Sequence, residues 1–384
     1  MLMNFMELER AIADEAWRTL HLNQEGPANP FCAPSWVAAW YRRYVPDPQR
    51  RRLAFVRSDR GELLGVAPLW IDQDRLGPVP LVSRLRLVGA GQGSSLLEVP
   101  QILTAKGEGR AVLGAVMAEL ADPGSPLRDA HLFDLVVADG QGWLEPEWFA
   151  DPRSNASSWD HIDTKASVIV PLAATWPDTL SGLKRNVKES LRRSRNRLAK
   201  QDLPYQVVER STDLDAEAVR RFFDLHGLRA DHDDSSSHHH NAFADPARRD
   251  FLAELLPVLG ADGDAAIWEL WLDGRQVAAQ LLLYAPDTVY VHSSGFDPST
   301  WQFGPVTYLQ EQAFKAACAA GLRWVNLSPG PNVAKLRWSE QVLRHDEFSV
   351  GFGSRATIVR QTVLGMARSL RAVTHNARIV EKPR

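Results

Sequence analysis

The hydrophobic and polar positions of the N-terminal half predict an alternation of helices and strands. Apolar residues recur at helical spacing over 6–20 and again from Pro34, a residue favoured in the first helical turn. The run 53–71 contains two β-rich segments joined by a turn at 59–61, which predicts a hairpin. The elements predicted after it are a strand, a Gly-rich turn, a helix and a strand, over 85–89, 89–93, 108–120 and 131–137.

The C-terminal half repeats this order. The run 266–285 predicts a second hairpin around Gly274, and 289–296 predicts a third strand. A helix from Pro305 to about Ala320 and a further strand follow. The matching turns at Gly61 and Gly274 lie more than half of the chain apart, a spacing that indicates a duplicated domain and excludes a solenoid.

Hairpins combined with a helical crossover predict a mixed sheet with helices on its faces. The predicted fold class is therefore α/β (α+β), with two related domains, each a mixed β-sheet flanked by helices. The segment 140–165 is rich in Gly, Pro, Asp and Ser and predicts the domain boundary. One long helix is predicted over 178–201, and a basic helix near the C-terminus over 357–373.

Composition narrows the class of protein. With 384 residues, 45% hydrophobic and 24% charged, the chain is typical of a soluble protein of two or three domains. A net charge of −3 excludes the global basic field of many nucleic-acid binders. No apolar run is long enough for a membrane span or a signal peptide, so we expect a cytoplasmic protein. Cys32 and Cys318 fit neither a zinc motif nor a disulfide framework.

The order of predicted elements resembles the GNAT acyltransferase fold, present twice. The stretches NPFCAPSWVAAWYRRY, GVAPL, LKRNVKESLRRSRNRLAK, FFDLHGLR, FADPARRDFL, DGRQVAAQLLL, SGFDP and KLRW resemble the CelD/BcsL-type (cellulose-biosynthesis-linked) acetyltransferase family, over residues 30–345. The tandem architecture is also similar to the Fem-type ligases, which transfer amino acids from aminoacyl-tRNA to peptidoglycan precursors. The resemblance thus implies a transferase.

The resemblance implies an N-terminal GNAT-like domain over 1–160, a C-terminal GNAT acyltransferase domain over 161–354, and a basic helix and tail over 355–384. It implies transfer of an acyl group, expected to be acetyl, from acyl-CoA to an amine or hydroxyl of a small-molecule or saccharide acceptor. The acceptor would attack the thioester directly. Acetyl-CoA or another acyl-CoA is the expected co-substrate, and no metal is expected.

The donor is expected where the third strand of the second half turns into the helix at Pro305. GNAT enzymes carry there an Arg/Gln-x-x-Gly-x-Gly/Ala run whose N–H groups hold pyrophosphate at a helix N-terminus. This chain matches it in part, and Pro305 lacks an N–H. The alternative is a Gly/Pro turn that only starts the helix. The expected donor-binding residues are Ser294, Gly295, Phe296, Gln302, Phe303 and Gly304, and Trp301 and Tyr308 are expected to contact substrate.

Three residues are candidates for the chemistry. Strand alternation places Tyr290, His292 and Ser294 on one face, so His292 is a candidate base or a buried core histidine. Glu98 stands at a predicted strand end where the family often has Asp, and would either take the amine proton or flank a turn. Lys335 matches a Lys that the Fem-type ligases associate with transfer. It would stabilise an oxyanion or phosphate, or be a solvated surface lysine.

His226 and Arg229 match the family pattern and lie three apart on a predicted helix, hence on one face. They are the expected acceptor-binding pair, since Arg binds carboxylates and phosphates in bidentate fashion. The alternative is that they stabilise a helix C-terminus, near Gly227. The His-rich segment 232–240 is interpreted as a flexible loop over the acceptor, with metal binding as the alternative.

The helix between Lys184 and Lys200 carries eight cations and one acid. Positions 185, 188, 192 and 195 form one stripe, whose candidate partners are the phosphates of coenzyme A, a tRNA, an anionic acceptor or a membrane surface. A solvated face is the alternative. Two further hypotheses therefore stand beside acyl-CoA transfer: an aminoacyl-tRNA-dependent transferase, and a non-catalytic binding protein for which the 13 Trp residues would form binding platforms.

Overall fold

The fold was analysed in a computed structural model. It describes residues 1–24, 27–76, 78–91, 98–138, 148–149, 156–201, 203–232 and 241–352, and residue 365. Three features predicted from the sequence lie wholly or largely outside these residues. They are the end of the Gly-rich turn after Gly91, the His-rich segment 233–240 and the C-terminal helix 357–373.

In the part of the first half that the structure describes there are four helices and six strands. They are β1 (Leu2–Phe5), α1 (Leu8–Ile12), α2 (Glu15–Leu22), α3 (Pro34–Tyr44), β2 (Arg51–Arg57), β3 (Leu63–Leu76), β4 (Val79–Leu87), β5 (Leu103–Thr104), α4 (Gly109–Ala121) and β6 (Leu132–Ala138). The single helix predicted over 6–20 is two helices, because the Asp14 side chain accepts the Ala16 N–H and caps a new helix.

The second half contains six helices and seven strands among the described residues. They are β7 (Ser158–Pro171), α5 (Trp176–Gly182), α6 (Arg185–Ala199), β8 (Tyr205–Arg210), α7 (Ala216–Asp231), α8 (Pro246–Ala261), β9 (Ala265–Leu272), β10 (Arg275–Ala285), β11 (Thr288–Phe296), α9 (Pro305–Ala319), β12 (Trp324–Pro329), α10 (Val333–Leu336) and β13 (Val342–Gly351). The single helix predicted over 178–201 is broken at Leu183, whose backbone is extended and whose side chain is buried.

All strands join one continuous sheet. Its order is β1-β2-β3-β4-β6-β13-β7-β12-β11-β10-β9-β8, with β5 paired to β3. Two neighbouring pairs are parallel, β4 with β6 and β11 with β12, and each is connected through a helix, α4 or α9. The other pairs are antiparallel. The predicted fold class, mixed α/β with a mixed sheet flanked by helices, is confirmed, although the two halves share one sheet.

The halves are joined by a reciprocal exchange of strands. β7 follows β6 in the chain but pairs with β12 of the second half, whereas β13 follows β12 and pairs with β6 of the first half. β7 and β13 also pair with each other along their lengths. The predicted boundary at residue 160 lies inside β7, so the chain crosses between the halves within a strand.

Three apolar clusters form the core. One contains α1–α3, α7 and α8 together with one face of β2–β3 and of β9–β11, so both arms of the sheet contact the same helices. α4 covers the opposite face in the first half. α5, α6 and α9 cover the opposite face in the second half. We call the face that contacts the shared helices the inner face; the candidate site lies along it.

Candidate functional site

The site is built around a divergence of two parallel strands. β11 and β12 pair only over Thr288–Tyr290 and Trp324–Asn326, and they separate towards their carboxyl ends. In open α/β sheets, ligands bind in such crevices outside the carboxyl ends of strands. The divergence therefore leaves a gap in the sheet, which we call the β11/β12 gap.

A bulge in β11 changes the faces that alternation predicts. Val291 pairs with Leu282 but Ser293 pairs with Leu281, so His292 is the extra residue. Ser293 therefore shares the inner face with Tyr290. Ser294, which pairs with Gln280, lies on the opposite face. The prediction that Ser294 shares a face with Tyr290 and His292 is wrong, because the bulge shifts the alternation by one residue.

α7 crosses β11 at Gly295, and this crossing delivers the predicted acceptor-binding pair to the gap. A Cβ at Gly295 would lie 2.3 Å from the backbone nitrogen of His226, so only glycine allows this approach. His226 Nδ1 donates to the Ser294 carbonyl (3.1 Å). Arg229 Nη1 donates to the Ser294 hydroxyl (2.7 Å) and carbonyl (3.2 Å). Gly227 lies inside α7, but Arg229 stands in its last turn, where a cation is favoured, so the helix C-terminus alternative stays open for Arg229.

Lys335 lies on the other side of the gap, on α10. The Asn332 side chain accepts the Lys335 N–H and caps this short helix. Lys335 Nζ donates to the Pro329 carbonyl (2.8 Å) and to the carbonyl and hydroxyl of Ser328 (3.1 and 3.2 Å). Burial, with a smaller contribution from Arg229, lowers the pKa of Lys335 to about 8. Lys335 is therefore a half-buried cation at the gap, and the alternative of a solvated surface lysine does not hold.

Ser328, which binds the Lys335 ammonium, has a backbone conformation that is uncommon for residues other than glycine. Its φ is 62°, in the left-handed region. The side chain of Asn326 stabilises it by accepting the Ser328 N–H (2.9 Å). Backbone strain of this kind concentrates at functional sites. In Ser328, the left-handed conformation directs the carbonyl and the hydroxyl towards the Lys335 ammonium.

His292 lies on the inner face and is buried. Its Nδ1 lies 3.0 Å from the Ser293 hydroxyl, and the Phe243 ring stacks near it at 6.4 Å. Burial first, then the charges of His226 and Arg248, lowers the pKa of His292 to about 3. The imidazole is therefore neutral at physiological pH, and it is a weak base.

Glu98 approaches the same region from the first half. It lies in the segment between β4 and β5, not at the end of a strand as predicted. It is 6% exposed, and among the described residues its Oε2 has no hydrogen-bond partner. Burial raises the pKa of Glu98 to about 8, although the charge of Arg248 opposes the shift. Burial, and after it the Glu98 charge, raises the pKa of Tyr290 on β11.

The predicted donor loop forms a 3₁₀ helix (Pro298–Phe303) that leads into α9. Gly304, at φ 63°, is the residue between the two helices, and its N–H donates to the Trp301 carbonyl. Helix α6 engages the carbonyls of this loop. Ser194 Oγ lies 2.9 Å from the carbonyls of residues 303 and 304, and Arg197 Nη1 donates to the Gln302 carbonyl at 2.6 Å. Cationic side chains of α6 therefore lie beside the N-terminus of α9.

The other predicted substrate residues lie at the edge of this loop. Trp301 is 67% exposed and packs on Phe296 with ring centroids 5.7 Å apart. Tyr308, on the first turn of α9, contacts Tyr205 at 5.9 Å. Burial and the proximity of Tyr205 raise the pKa of Tyr308 to about 12. Tyr308 is therefore a neutral phenol at physiological pH.

Sequence reasoning missed two residues of the site. Arg248, on α8, affects the pKa values of both Glu98 and His292. Phe243 contacts the His226 ring at 4.6 Å and the His292 ring at 6.4 Å. Both lie in FADPARRDFL, one of the stretches that carries the family resemblance, so the sequence contained the signal without indicating its use.

The first half contains the topological counterpart of the gap. There, β4 and β6 pair over Arg84–Arg86 and Leu132–Asp134, so Arg86 and Asp134 stand where the second half has Tyr290 and Asn326. Ion pairs occupy this counterpart: Arg84 binds Asp74 (2.5 Å) and Asp134 (3.0 Å), and Arg86 binds Asp72 (3.2 Å). Arg84 is 2% exposed, so its guanidinium is enclosed by this network.

Two other kinds of feature are absent from the described residues. No group of three His, Cys, Asp or Glu side chains there is arranged to hold a metal ion. No helix in the same part of the chain is both long and apolar enough to cross a bilayer. The His-rich segment 233–240 lies outside that part of the chain, so neither statement applies to it.

Comparison with known proteins agrees with this architecture. Residues 185–336 match the family model described as acetyltransferase (GNAT) domain, which spans α6 to α10 and includes the β11/β12 gap. Over these residues the chain is therefore similar to a GNAT acetyltransferase domain. No curated protein matches the sequence.

Solved structures show the same fold over nearly the whole chain. The crystal structure of FemX is similar with a TM-score of 0.60 at 12% identity, covering 90% of this chain and 97% of FemX. A conserved protein of unknown function from Bacteroides thetaiotaomicron is similar with a TM-score of 0.56 at 14% identity, covering 91% of this chain and 99% of that one. At this identity the likeness establishes the fold alone.

Proposed function

We propose that the protein is a GNAT-type acyltransferase that moves an acyl group from acyl-CoA to an amine or hydroxyl of a small-molecule or saccharide acceptor. The observation that carries this proposal is the pair of cations at the β11/β12 gap. Arg229 and Lys335 enter it from opposite sides, within a domain that matches the GNAT model. We further assign the chain to the CelD/BcsL-type branch, on the sequence stretches that resemble it.

The donor would lie in the gap with its phosphates towards the N-terminus of α9. Pro305 and Gly304 offer no free N–H there, but Val306 and Thr307 are in the first turn, where N–H groups lack intrahelical partners. Arg197 of α6 adds a positive charge beside them. Ser294, Gly295, Phe296, Gln302, Phe303 and Gly304 would line the donor site. This fit supports an anionic donor held partly by side chains of α6.

The acceptor would attack the thioester carbonyl from the inner face. A bond forms between the acceptor nitrogen or oxygen and the carbonyl carbon, and the carbon–sulfur bond breaks. Lys335 would stabilise the oxyanion that develops, since an ammonium in a partly desolvated site is a strong electrostatic donor. The released thiolate takes up a proton to become coenzyme A. No covalent intermediate on the protein is required.

Glu98 is the better candidate for the base that removes the acceptor proton. A general base is most effective when its pKa lies near the working pH, and the pKa of Glu98 is about 8 whereas that of His292 is about 3. His292 would then orient the acceptor through the inner face, next to His226. Arg229 would complete the acceptor contacts. Trp301 and Tyr308, which lie in the donor loop and the first turn of α9, would contact the donor.

We assign the reaction to the cytoplasm. Cys32 and Cys318 are both buried free thiols, which is consistent with a reducing compartment.

The test is release of free thiol from acetyl-CoA in the presence of amine and amino-sugar acceptors. We expect acceptor-dependent release by the full chain and its loss in Lys335→Met. The matched control is Lys106→Met, an exposed lysine of the first half, which should retain activity. Release that is unaffected by Lys335→Met would remove this lysine from the site. No release with any acyl-CoA, and no affinity for one, would favour the non-catalytic alternative.

A second candidate function is transfer from an aminoacyl-tRNA, as in the Fem-type ligases that the architecture resembles. The cationic helix α6 beside the donor loop favours it, because nucleic-acid backbones bind such surfaces. The discriminating measurement is tRNA binding across a salt series. Steeply salt-dependent binding together with no acyl-CoA affinity would favour this function over the first.

A further inference from the structure

Helix α6 presents a cationic face to solvent. Its apolar stripe, formed by Val187, Leu191 and Leu198 with Ser194, is buried. The opposite side carries exposed cations with only one acid among them, Glu189. These cations are Arg185, Arg192, Arg193, Arg197 and Lys200. Because the buried stripe fixes the rotation of the helix, this face cannot turn inward.

Acidic side chains neutralise few of the cations on this face of α6. Glu189 pairs with Arg185 at 2.9 Å. Glu311 is fully buried on α9 and pairs with Arg195, at the edge of the face. Within the described residues, no acid is paired with Arg192 or Lys200, so the face stays strongly positive.

Exposed apolar side chains lie beside both ends of α6. At the N-terminal end lies α10, where Val333 is 80% exposed and Leu336 is 37% exposed. Lys184 Nζ donates to the Leu336 carbonyl at 3.0 Å, which fixes α10 against α6. At the C-terminal end lies Trp301, 67% exposed, next to the loop carbonyl that Arg197 binds.

We propose that this surface, the exposed face of α6 with Val333, Leu336 and Trp301, docks on an anionic lipid bilayer. Clustered Lys and Arg residues are attracted to anionic headgroups. Exposed aliphatic and Trp side chains insert at the level of the headgroups and acyl-chain boundary. Valine and leucine have no π-face for base stacking, which is the main apolar contact of proteins that bind single-stranded RNA. The combination therefore fits lipid better than RNA.

The test is sedimentation of the full chain with vesicles of phosphatidylcholine alone and of phosphatidylcholine with phosphatidylglycerol. We expect binding only to the anionic vesicles, weakening as salt is raised. The double variant Arg192→Ala/Arg193→Ala should lower the partition coefficient about 25-fold, at roughly fivefold for each basic residue near an anionic surface. The matched control removes two exposed arginines of the first half, Arg60→Ala/Arg128→Ala, and should bind as the wild type does.

A second variant tests the apolar contribution. Val333→Ser/Leu336→Ser should weaken binding to anionic vesicles while leaving its salt dependence unchanged, because the charges remain. Circular dichroism of each variant checks that the fold is retained. No binding to anionic vesicles, equal binding to neutral vesicles, or an unchanged partition coefficient in Arg192→Ala/Arg193→Ala would each overturn the proposal. Binding of tRNA in place of vesicles would assign the surface to RNA and also overturn it.

Discussion

The two halves of the molecule share a topology and differ in what fills it. Each has a hairpin, a third strand, a crossover helix and a parallel fourth strand. In the first half, the counterpart of the gap is occupied by Arg84 and Arg86 with three aspartates. In the second half, the gap receives Lys335, whose described partners are carbonyls and a hydroxyl.

This difference distinguishes buried charges that stabilise the fold from a half-buried charge that is available to a ligand. A buried cation paired with carboxylates is already neutralised and has no capacity for a ligand. A half-buried ammonium bound only to neutral oxygens retains its charge, and an incoming anion or oxyanion would be stabilised by it. On the proposed function, we therefore expect the reaction in the second half, with the first half contributing Glu98 and the rigidity of the shared sheet.

The largest expected effect is the loss of activity when Glu98, the proposed base from the first half, is replaced. Glu98→Gln removes the proposed base and should lower kcat/KM for acyl transfer by about 10²–10⁴-fold, the usual range for general base catalysis. Steady-state rates over a series of acceptor concentrations, at saturating acyl-CoA, measure it. An unchanged rate would confine the chemistry to the second half alone.

The same variant should also stabilise the protein at alkaline pH. The Glu98 pKa is raised from about 4.5 in the unfolded chain to about 8. Folding therefore takes up a proton between these values, and stability falls as pH rises from about 4.5 to about 8. Glu98→Gln abolishes this loss. By pH 8.5 the free energy of unfolding of the variant should therefore exceed that of the wild type by a few kcal/mol. Urea unfolding of the variant and the wild type at pH 5 and pH 8.5 tests this prediction. A gain in the free energy of unfolding that is the same at both pH values would contradict the account.

The next largest effect is expected for Lys335→Met. Loss of an oxyanion donor costs about 10²–10³-fold in kcat, whereas stability should change little, because the ammonium is desolvated without a carboxylate partner. Rates and thermal unfolding measured on the same preparation separate the two. A large loss of stability with a proportionate loss of activity would make Lys335 structural and end the contrast with Arg84.

Arg84→Met is the converse experiment. It removes one ion-pair partner of Asp74 and Asp134, which also pair with Arg86 at 3.9 and 3.5 Å. The loss should destabilise the fold by up to about 3 kcal/mol, while activity per folded molecule is retained. Denaturant unfolding and a rate normalised to folded protein test it. If activity fell far more than the folded fraction, the first half would hold a working site of its own.

The pH profile gives the smallest of these effects. Glu98 must be ionised and Lys335 protonated, and both pKa values are about 8. Activity should peak near pH 8 and fall about tenfold for each pH unit on the acid side. The acid limb should disappear in Glu98→Gln. A wild-type profile that is flat from pH 6 to 9 would exclude both assignments.

The sequence predicted the local parts of this picture better than the nonlocal ones. The hairpins, the helices from Pro34 and Pro305, and the grouping of His226, Arg229 and Lys335 near β11 follow from short-range patterns and family resemblance. The bulge at His292, which turns Ser294 to the other face, depends on pairing with β10. The exchange of β7 and β13 depends on contacts between distant segments, for which a single sequence carries no periodic signal. The ion pairs of Arg84 likewise join three separate strands.

The most direct test of the central claim is calorimetric titration of the full chain with acetyl-CoA at low and moderate salt. The account expects one molecule bound per chain, because ion pairs among the described residues occupy the counterpart of the gap in the first half. It also expects micromolar affinity that weakens with salt, as the phosphates meet α6. Two molecules bound per chain would contradict the difference between the halves. No binding at either salt concentration would contradict acyl-CoA as the donor.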